Sequence, residues 1–448
     1  MSGADVRKGT VTNEADVGLP PLSAARQETW DSYRIEFLDD GYPARRMGKQ
    51  LTPHPIYGTY VITDYLAGYR VSGNEAYLAA ACRVADSSLT RMETLEDALV
   101  FMYEPNVGLS SLPHRFYSGL TQARYLAVFE RLHRATGNER YRTASSSILS
   151  SLRIPTRRGG VARATPSGGL VIEEAAHAAP DLTLNGWTSA TTLVEEYASA
   201  TQDPLAREVF IDSCRGIREA LPLFDVAELA NSRYRLGGIA EILFAFSHHG
   251  AEISATEVLI PGYGRHVVHF NEEPGSLSRY LHGVDQAGTV SGQSATAEVF
   301  LSRVTWPKPN RVTMQVHVPQ AGEVQVRIGQ GDYDPLVSRL RTTSYTSIAT
   351  VPLEAGENTI EVAVPWADAE LVAYPTNFGK ELGGNRHNVY HFIHIDTLQT
   401  LAERTGDDMF AYFADRWDRY VERWPHMPVY ADADVKLHRY GTNPEREP

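Results

Sequence analysis

The sequence predicts a multidomain α+β protein, in which an antiparallel β-sandwich is inserted into an (α/α) toroid-like helical domain. Two patterns in the 448 residues lead to this fold class: a helix junction that recurs along the chain, and a central stretch with alternating apolar residues. The hydrophobic content of 42% and the charged content of 22% are those of an ordinary globular protein with a large core. We therefore expect two or three packed domains.

The helical prediction rests on four stretches that resemble one another: SGNEAYLAAA from residue 72, TGNERYRTAS from 136, TQDPLAREVF from 201 and TGDDMFAYFA from 405. In each, the small residue before Gly-Asn, Gly-Asp or Gln-Asp marks the end of one helix and the cap of the next. Acidic side chains follow in the new first turn. The first three stretches begin about 65 residues apart, a period typical of stacked antiparallel helix pairs.

Between about residues 254 and 375 the helical pattern is replaced by alternating apolar and polar residues. Segments such as RHVVHF, RVTMQVHV and NTIEVAVPW are rich in β-branched residues and are separated by Gly, Pro or Asn. About eight such segments at short spacing predict an antiparallel β-sandwich. Because the last helix junction is delayed by about this many residues, we expect the sandwich to be an insertion.

These patterns predict the domain boundaries and two local features near them. The predicted parts are a mobile N-terminal arm (1–25), a discontinuous helical catalytic domain (26–252 and 376–445) and an inserted β-sandwich domain (253–375). The segment SHHG at 247–250 is expected to end a helix. The Gly- and Asn-rich segment 373–388 leads into the last helices and is expected to line a cleft.

Charge and composition restrict the partners. The formal net charge of −13 argues against nucleic acid, anionic membrane surfaces and polyanions as general partners. No apolar run reaches the ~18 residues that a membrane span requires, and the first residues lack the apolar segment of a signal peptide. The two cysteines, far apart in sequence, suit a reducing compartment. We therefore expect a cytoplasmic protein with a small-molecule or oligosaccharide substrate, with a homodimer left open.

The helix VYHFIHIDTLQTL, residues 389–401, carries unusual polar residues. Tyr390, His391 and His394 share one helix face, where a core stripe or a solvent stripe would normally lie. Taken alone, the pattern favours one buried core histidine and one surface histidine. A zinc site is weakly indicated, because neither a Cys pair nor an HExxH motif supplies the other ligands, and we expect no metal.

Two further stretches place polar side chains next to helix ends. Taken alone, LVIEEAAHAAPDLTLNGW (170–187) is typical of a surface loop, and the tyrosine of LPLFDVAELANSRYRL (221–236) of a packed aromatic residue. The candidate residues are Glu173, Glu174, His177 and Asn185 in the first stretch, and Arg233, Tyr234 and Arg235 in the second.

Together these segments resemble the C-terminal helical domain of the D-glucuronyl C5-epimerase family. YHFIHIDTLQTL is similar to the family's Tyr-His-x-x-His-Ile-x-x-Leu-Gln helix, which is the most specific of the matches. IEEAAHAAPDLTLNGW resembles its Glu-Glu-Tyr-Pro…Leu-Asn-Gly segment, and IREALPLFDVAELANSRYRL its Leu-Pro-Leu-Tyr-Asp…Tyr-Asp-Leu segment. FYSGLTQARYLAVFERLHRATGN (116–138) is similar to an earlier helix that begins Trp-Tyr-Ser and carries a Gln. The resemblance covers roughly 112–236 and 386–425.

The resemblance implies an (α/α) toroid that inverts a D-glucuronyl residue at C5 to L-iduronyl, by removing and returning a proton without a cofactor. Family tyrosines fall on Tyr234 and Tyr390, and a family glutamate falls on Glu173 or, most simply, Glu174. A third family tyrosine falls on Ala175, so either one base is lost or its work passes to His177 or His391, with His394 as a neighbour. The expected substrate-binding residues are Arg233, Arg235, Arg386, Asn185, Tyr117 and Gln122.

Three functions are therefore carried forward. The first is an isomerase that transfers protons on a uronate-like or other small acidic substrate, with Glu174 and Tyr390 as the acid/base pair. The second is a lyase or cyclase acting on an intermediate of specialised-metabolite biosynthesis on the same scaffold. The third is a non-catalytic glycan-binding protein, which would keep its binding when Tyr390 is replaced by Phe.

Overall fold

Helices and strands are both abundant in this computed structural model of the chain. The structure describes residues 13–33, 35–47, 50–104, 115–175, 182–227, 230–260, 264–267, 280–285, 287–290, 295–304, 310–334, 339–364, 380–382, 385–387 and 389–427. His177 and residues 365–379, which include the first part of the predicted cleft segment, lie outside these ranges, as do residues 1–12 of the predicted arm. The mixed α and β content predicted from the sequence is confirmed.

The α-helices lie in the first half and at the end of the described chain. They are α1 Ala24–Tyr33, α2 Pro55–Ser72, α3 Glu75–Leu89, α4 Gly119–Thr136, α5 Glu139–Ser151, α6 Leu184–Thr201, α7 Pro204–Phe224, α8 Val389–Thr405 and α9 Asp408–Arg423. Among the residues that the structure describes, no helix is both long enough and apolar enough to cross a membrane.

The strands are short in the helical part and long in the region between α7 and α8. They are β1 Ile35–Phe37, β2 Pro43–Met47, β3 Gln50–Pro53, β4 Glu93–Leu95, β5 Ala98–Val100, β6 Ala162–Ala164, β7 Leu170–Ile172, β8 Asp225–Val226, β9 Asn231–Ser232, β10 Gly237–Phe246, β11 Glu252–Ile260, β12 Gly264–Val267, β13 Tyr280–His282, β14 Thr296–Val304, β15 Asn310–Val318, β16 Gly322–Asp334, β17 Arg339–Leu353, β18 Gly356–Val364, β19 Lys380–Leu382 and β20 Asn385–His387.

The helices pack as consecutive pairs: α2 with α3, α4 with α5, α6 with α7 and α8 with α9. Each pair is joined at one of the four predicted junctions, where Asn74, Asn138, Asp203 or Asp407 caps the second helix. The side-chain oxygen of Asn74, for example, accepts a hydrogen bond from the Ala76 amide at 3.0 Å. These side chains satisfy amides that the first helical turn leaves without a partner, so local chemistry ends one helix and starts the next.

The first helix of each pair contacts the first helix of the next pair, in the order α2, α4, α6 and α8. We call these four the inner helices. Their buried residues include large aromatic side chains such as Tyr65, Tyr125 and Trp187, each essentially inaccessible to solvent. Whether the layer closes into a toroid stays a prediction.

The long strands form two antiparallel sheets. One has five strands in the order β13-β14-β10-β16-β17, and the other has four in the order β12-β11-β15-β18. Buried residues alternate along β15 and β18, where Val312, Met314, Val316, Ile360 and Val362 lie on covered faces. The packing of the two sheets as a sandwich stays a prediction, as do the domain boundaries.

One local prediction is wrong: SHHG does not end a helix. It connects β10 to β11, which are strands of the two different sheets. The preceding β10 is central in its sheet, paired with β14 and β16, and Ile242, Leu243 and Phe244 are all buried. A strand covered on both faces has a continuous apolar sequence, which its pattern alone does not distinguish from a buried helix. The first of the long strands thus begins at Gly237, where the sequence was expected to be helical.

Residues 13–25 of the predicted arm pack against the helical part. Leu19 and Leu22 are buried, and the Ser23 amide donates a hydrogen bond to Asp64 in α2 at 2.8 Å. Arg83 in α3 donates another to the Val17 carbonyl at 2.6 Å. This part of the arm therefore has defined contacts in the structure, while its mobility stays a prediction.

Candidate active site

The N-terminal ends of α2 and α4 lie side by side. His54 immediately precedes α2, and its ring lies edge-on to that of Tyr103, with 5.2 Å between centroids. The Tyr103 hydroxyl hydrogen-bonds Thr121 in the first turn of α4 at 2.7 Å. Tyr103 thus bridges the starts of two inner helices.

The next contacts connect the starts of α4 and α6. The amide of Gly119, the first residue of α4, donates to the Glu173 carbonyl at 3.1 Å. The adjacent Glu174 lies over the first turn of α6, where a Cβ on Gly186 would be only 2.5 Å from Glu174 Oε1. Glycine at 186 therefore allows the carboxylate to approach the helix backbone closely.

A third set of contacts connects α6 to α8. The amide of Leu184, the first residue of α6, donates to the Tyr234 carbonyl at 3.0 Å. The Tyr234 ring contacts that of Tyr390 at the start of α8, with centroids 4.7 Å apart and planes tilted by 50°. All four inner helices therefore begin at the same end of the bundle. Their dipoles present partial positive charge there, which favours negatively charged groups.

The two predicted tyrosines are thus brought together by the fold. Tyr234 lies between β9 and β10, whereas Tyr390 lies beyond the last of the strands that follow β10. Both side chains are half-buried, so each combines a fixed position with access to solvent. Two adjacent phenols can share a proton and can donate hydrogen bonds to a developing negative charge.

The two adjacent glutamates have different surroundings. Glu173 is fully buried: its carboxylate accepts hydrogen bonds from Arg163 Nε and from the Leu182 amide, both at 2.9 Å. Glu174 is half-buried, at the N-terminal end of α6. The buried carboxylate holds the local backbone together, and the half-buried carboxylate is the one that a ligand can reach.

The two predicted histidines of α8 are both fully buried, so the expectation of one surface histidine is wrong. Both are bonded to protein groups. His391 Nε2 donates to the Trp417 carbonyl at 3.0 Å, so its Nδ1 is the acceptor for the Ser232 amide at 3.1 Å. The Ser232 hydroxyl lies 2.8 Å from Nδ1 of both His391 and His394. This shared serine was not anticipated from the sequence.

Burial determines the charge of both rings. It lowers the pKa of His391 to about 4, against smaller opposing effects of the Trp417 carbonyl and of Asp225. Burial also lowers the pKa of His394 well below its ordinary value, and the neighbouring His391 lowers it further. Both rings are therefore neutral at neutral pH and have no direct access to a substrate.

Two of the predicted arginines are more than nine-tenths buried. Arg233 is 7% exposed, and its Nε donates to the Leu223 carbonyl at 3.2 Å. Arg235 is 9% exposed, and its backbone pairs with Thr183 ahead of α6. Arg386 lies in β20, for which only the backbone is described. A role for these three in substrate binding stays a prediction.

The other predicted binding residues are buried in the helical core. Tyr117 donates its hydroxyl hydrogen to the Ser151 carbonyl at 2.7 Å. Gln122 accepts from the Phe101 amide and donates to the Leu99 carbonyl, so both ends of its amide are engaged within the protein. Asn185 lies in the first turn of α6 and is 8% exposed. The contacts of Tyr117 and Gln122 support the start of α4 from inside the protein.

Sequence reasoning missed four residues near the starts of α2 and α4: Tyr60, Tyr103, Arg26 and Arg124. Tyr103 packs in a small apolar cluster with Phe116 and Ala175, so an aromatic ring from another segment lies beside the alanine. Burial raises the pKa of Tyr103, and the nearby Tyr60 and Glu174 add to that increase. The Tyr60 ring in turn has the guanidinium groups of Arg26 and Arg124 at 4.8 and 4.6 Å. Arg124 lies in the family-like segment 116–138, but its neighbours Tyr60, Tyr103 and Arg26 lie in none of the matched segments, and only the fold brings the four together.

One known protein is similar to this chain over part of its length. An uncharacterized protein of Methanocaldococcus jannaschii is 23% identical over 133 residues, which is 29% of this chain and 43% of that protein. This chain thus matches less than half the length of that relative.

Three solved structures are similar to parts of the chain. A sugar epimerase from a ruminal bacterium has 12% identity and a TM-score of 0.33, covering 48% of this chain and 60% of its own. The cellobiose 2-epimerase of Bacillus thermoamylovorans has 12% identity and a TM-score of 0.34, covering 47% and 58%. The endo-beta-1,4-glucanase CMCax of Acetobacter xylinum has 15% identity and a TM-score of 0.32, covering 48% and 62%.

The resemblance predicted from the sequence is confirmed over residues 96–267, which match the family described as D-glucuronyl C5-epimerase C-terminus. This match includes Glu173, Glu174 and Tyr234 and ends before α8.

Proposed function

We propose that this protein is an isomerase of the C5-epimerase kind, which moves a proton on the carbon next to the carboxylate of a uronate-like substrate. The contact between the half-buried rings of Tyr234 and Tyr390 is the observation that carries the proposal. It lies at the end of the inner helices where the Glu174 carboxylate is also found. The family match over residues 96–267 supports the same reaction class.

Inversion at such a carbon requires a base on one face of the sugar ring and an acid on the other. In our proposal Glu174, which lies over the first turn of α6, acts on one face, and Tyr390 acts on the other. Tyr390 contacts Tyr234, whose carbonyl accepts a hydrogen bond from the first amide of α6. Tyr234 shares the proton of Tyr390. A phenol with a reference pKa of about 10 becomes a usable base when a neighbouring hydrogen bond stabilises the phenolate.

Removal of the proton leaves an enolate-like group with added negative charge on the substrate carboxylate. The starts of four helices favour negative charge at this position. Preorganised dipoles of this kind are worth several kcal/mol when water is excluded. No cofactor is needed for the transfer as proposed, since every proton moves between the substrate and a side chain.

We assign the substrate carboxylate to Arg124, with Arg26 as a second cation. Both guanidinium groups lie against the half-buried ring of Tyr60, and Tyr60 is near Tyr103 at the same end of the inner helices. Arg124 is itself half-buried, whereas Arg233 and Arg235 are more than nine-tenths buried. A guanidinium group binds a carboxylate through two parallel hydrogen bonds.

The test is solvent-deuterium exchange. The purified protein is incubated in D₂O with a panel of uronic acids and D-glucuronyl glycosides, and the C5 hydrogen is followed by NMR. The proposal expects deuterium at C5 together with the C5 epimer. Absence of exchange across the panel would overturn proton-transfer epimerisation. The other two functions also give distinct products: a lyase creates a conjugated double bond, a cyclase consumes a double bond, and a glycan-binding protein leaves the sugar unchanged.

A further inference from the structure

Ser232 occupies a buried position between the two segments that carry the tyrosine pair. It is fully buried at the end of β9, and its hydroxyl lies 2.8 Å from Nδ1 of His391 and 2.8 Å from Nδ1 of His394. Its amide also donates to His391 at 3.1 Å. One serine thus makes three short contacts with two side chains of α8.

The hydrogen atoms in this group can be assigned. His391 donates from Nε2 to the Trp417 carbonyl, so its Nδ1 carries no hydrogen and accepts from Ser232. The serine hydroxyl has one hydrogen for two rings: it donates to His391 Nδ1 and accepts from the Nδ1–H of His394, because the reverse would leave two lone pairs facing each other at 2.8 Å. The serine oxygen therefore lies between two neutral rings.

Ser232 and His391 are close in sequence to the two tyrosines of the pair. Ser232 lies two residues before Tyr234, and His391 directly follows Tyr390. The serine therefore connects the segment that carries one phenol to the helix that carries the other. Apolar side chains would also fill this space, but hydrogen bonds are directional and fix one register between the segments.

We propose that Ser232 is a positioning residue, which holds Tyr234 against Tyr390 by binding His391 and His394. The role assigned here rests on the proposed function, because the tyrosine pair is the proton-transfer site in that proposal. His391 and His394 then act through position and not as proton donors to the substrate. Their full burial agrees with this role.

The experiment compares Ser232→Ala, which removes the hydroxyl, with Ser232→Thr, which keeps it. The matched control is Ser145→Ala, which removes a fully buried hydroxyl from α5, bonded only to helix carbonyl groups. The first readout is the ¹⁵N chemical shifts of the His391 and His394 rings. The second is the ¹⁹F signals of fluorotyrosine at 234 and 390, assigned with the corresponding Phe variants. The third is kcat and KM for deuterium exchange.

We expect Ser232→Ala to shift both histidine rings and both tyrosine signals, and to lower kcat about tenfold or more with little change in KM. Ser232→Thr and Ser145→Ala are both expected to keep the wild-type chemical shifts and kcat. Unchanged tyrosine signals in Ser232→Ala, or an equal loss of kcat in Ser145→Ala, would overturn the inference. A wild-type protein without exchange activity would overturn the proposed function alone, because the two spectroscopic readouts still report whether Ser232 positions the tyrosines.

Discussion

The ring of Tyr234 lies 4.7 Å from the ring of Tyr390, and the backbone carbonyl of Tyr234 accepts a hydrogen bond from the first amide of α6. The first contact joins the segment after β9 to α8, and the second joins it to α6. Glu174 lies over that same turn of α6. The three groups proposed for proton transfer are therefore connected through one helix end.

Replacing either tyrosine of the pair by Phe tests whether the phenols act together. We expect Tyr390→Phe and Tyr234→Phe each to lower kcat for exchange by about 10² or more, because each removes a proton-carrying group. The double variant is expected to be little worse than either single variant, since groups that act as a unit are not additive. Tyr412→Phe, at an exposed position of α9, is the control. Full additivity of the two losses would contradict a shared role.

Replacing Glu173 is predicted to reduce stability, whereas replacing Glu174 is predicted to reduce activity. Glu173→Gln breaks the buried ion pair with Arg163 and is expected to lower the free energy of unfolding by about 3 kcal/mol. Glu174→Gln is expected to abolish exchange with little change in the unfolding midpoint. Chemical denaturation and the D₂O assay, applied to both variants, measure the two effects. A stable but inactive Glu173→Gln protein would reverse the assignment.

Gly186 is predicted to control the position of Glu174. An added methyl group would lie 2.5 Å from Glu174 Oε1 and must displace the carboxylate from the helix end. We expect Gly186→Ala to lower kcat by roughly tenfold or more, since small displacements of a reacting group are costly. Gly73→Ala is a poor comparison because Gly73 has a positive φ of 65°. Ser199→Ala, at an exposed position near the other end of α6, is the control. Normal kcat in Gly186→Ala would show that Glu174 acts from elsewhere.

Arg124 is predicted to select acidic substrates. We expect Arg124→Gln to raise Kd for uronates at least tenfold, because a bidentate charged contact is lost, and to leave the Kd of neutral sugars unchanged. Arg131→Gln is the matched control: Arg131 lies on the same helix and pairs with Glu196 at 2.6 Å. Calorimetric titration with glucuronate and glucose measures the difference. Equal losses for the two sugars would argue against a carboxylate contact.

The buried histidine predicts how stability depends on pH. The pKa of His391 is lowered to about 4 in the folded protein, below its ordinary value of 6.5, so the unfolded chain binds the proton more readily. Its contribution is therefore fully present above pH 6.5 and decreases as the pH falls towards 4. Between pH 7 and pH 5 we expect a loss of about 2 kcal/mol from this residue. Urea unfolding of the wild type and of His391→Gln should show a smaller loss in the variant; identical losses would contradict the prediction.

Local chemistry made part of this protein predictable. The helix junctions at Asn74, Asn138, Asp203 and Asp407 were recognisable because a cap involves residues only a few positions apart. The family segments around Glu174 and Tyr234 were recognisable for a similar reason, since each motif is contiguous. In contrast, β10 was missed because its apolar sequence has no period that separates a covered strand from a helix.

The sequence by itself determined the mixed α and β content, the positions of the helix junctions and the segments that carry Glu174, Tyr234 and Tyr390. Only the tertiary structure decided which of their polar residues are accessible. In the folded protein Glu173 is buried in an ion pair with Arg163, and His391 is buried in a hydrogen bond with Ser232. The fold also brings Tyr103, Tyr60 and Arg124 to the end of the bundle where the inner helices begin. The physical reason is that burial and pairing depend on contacts between distant segments, which no local pattern records.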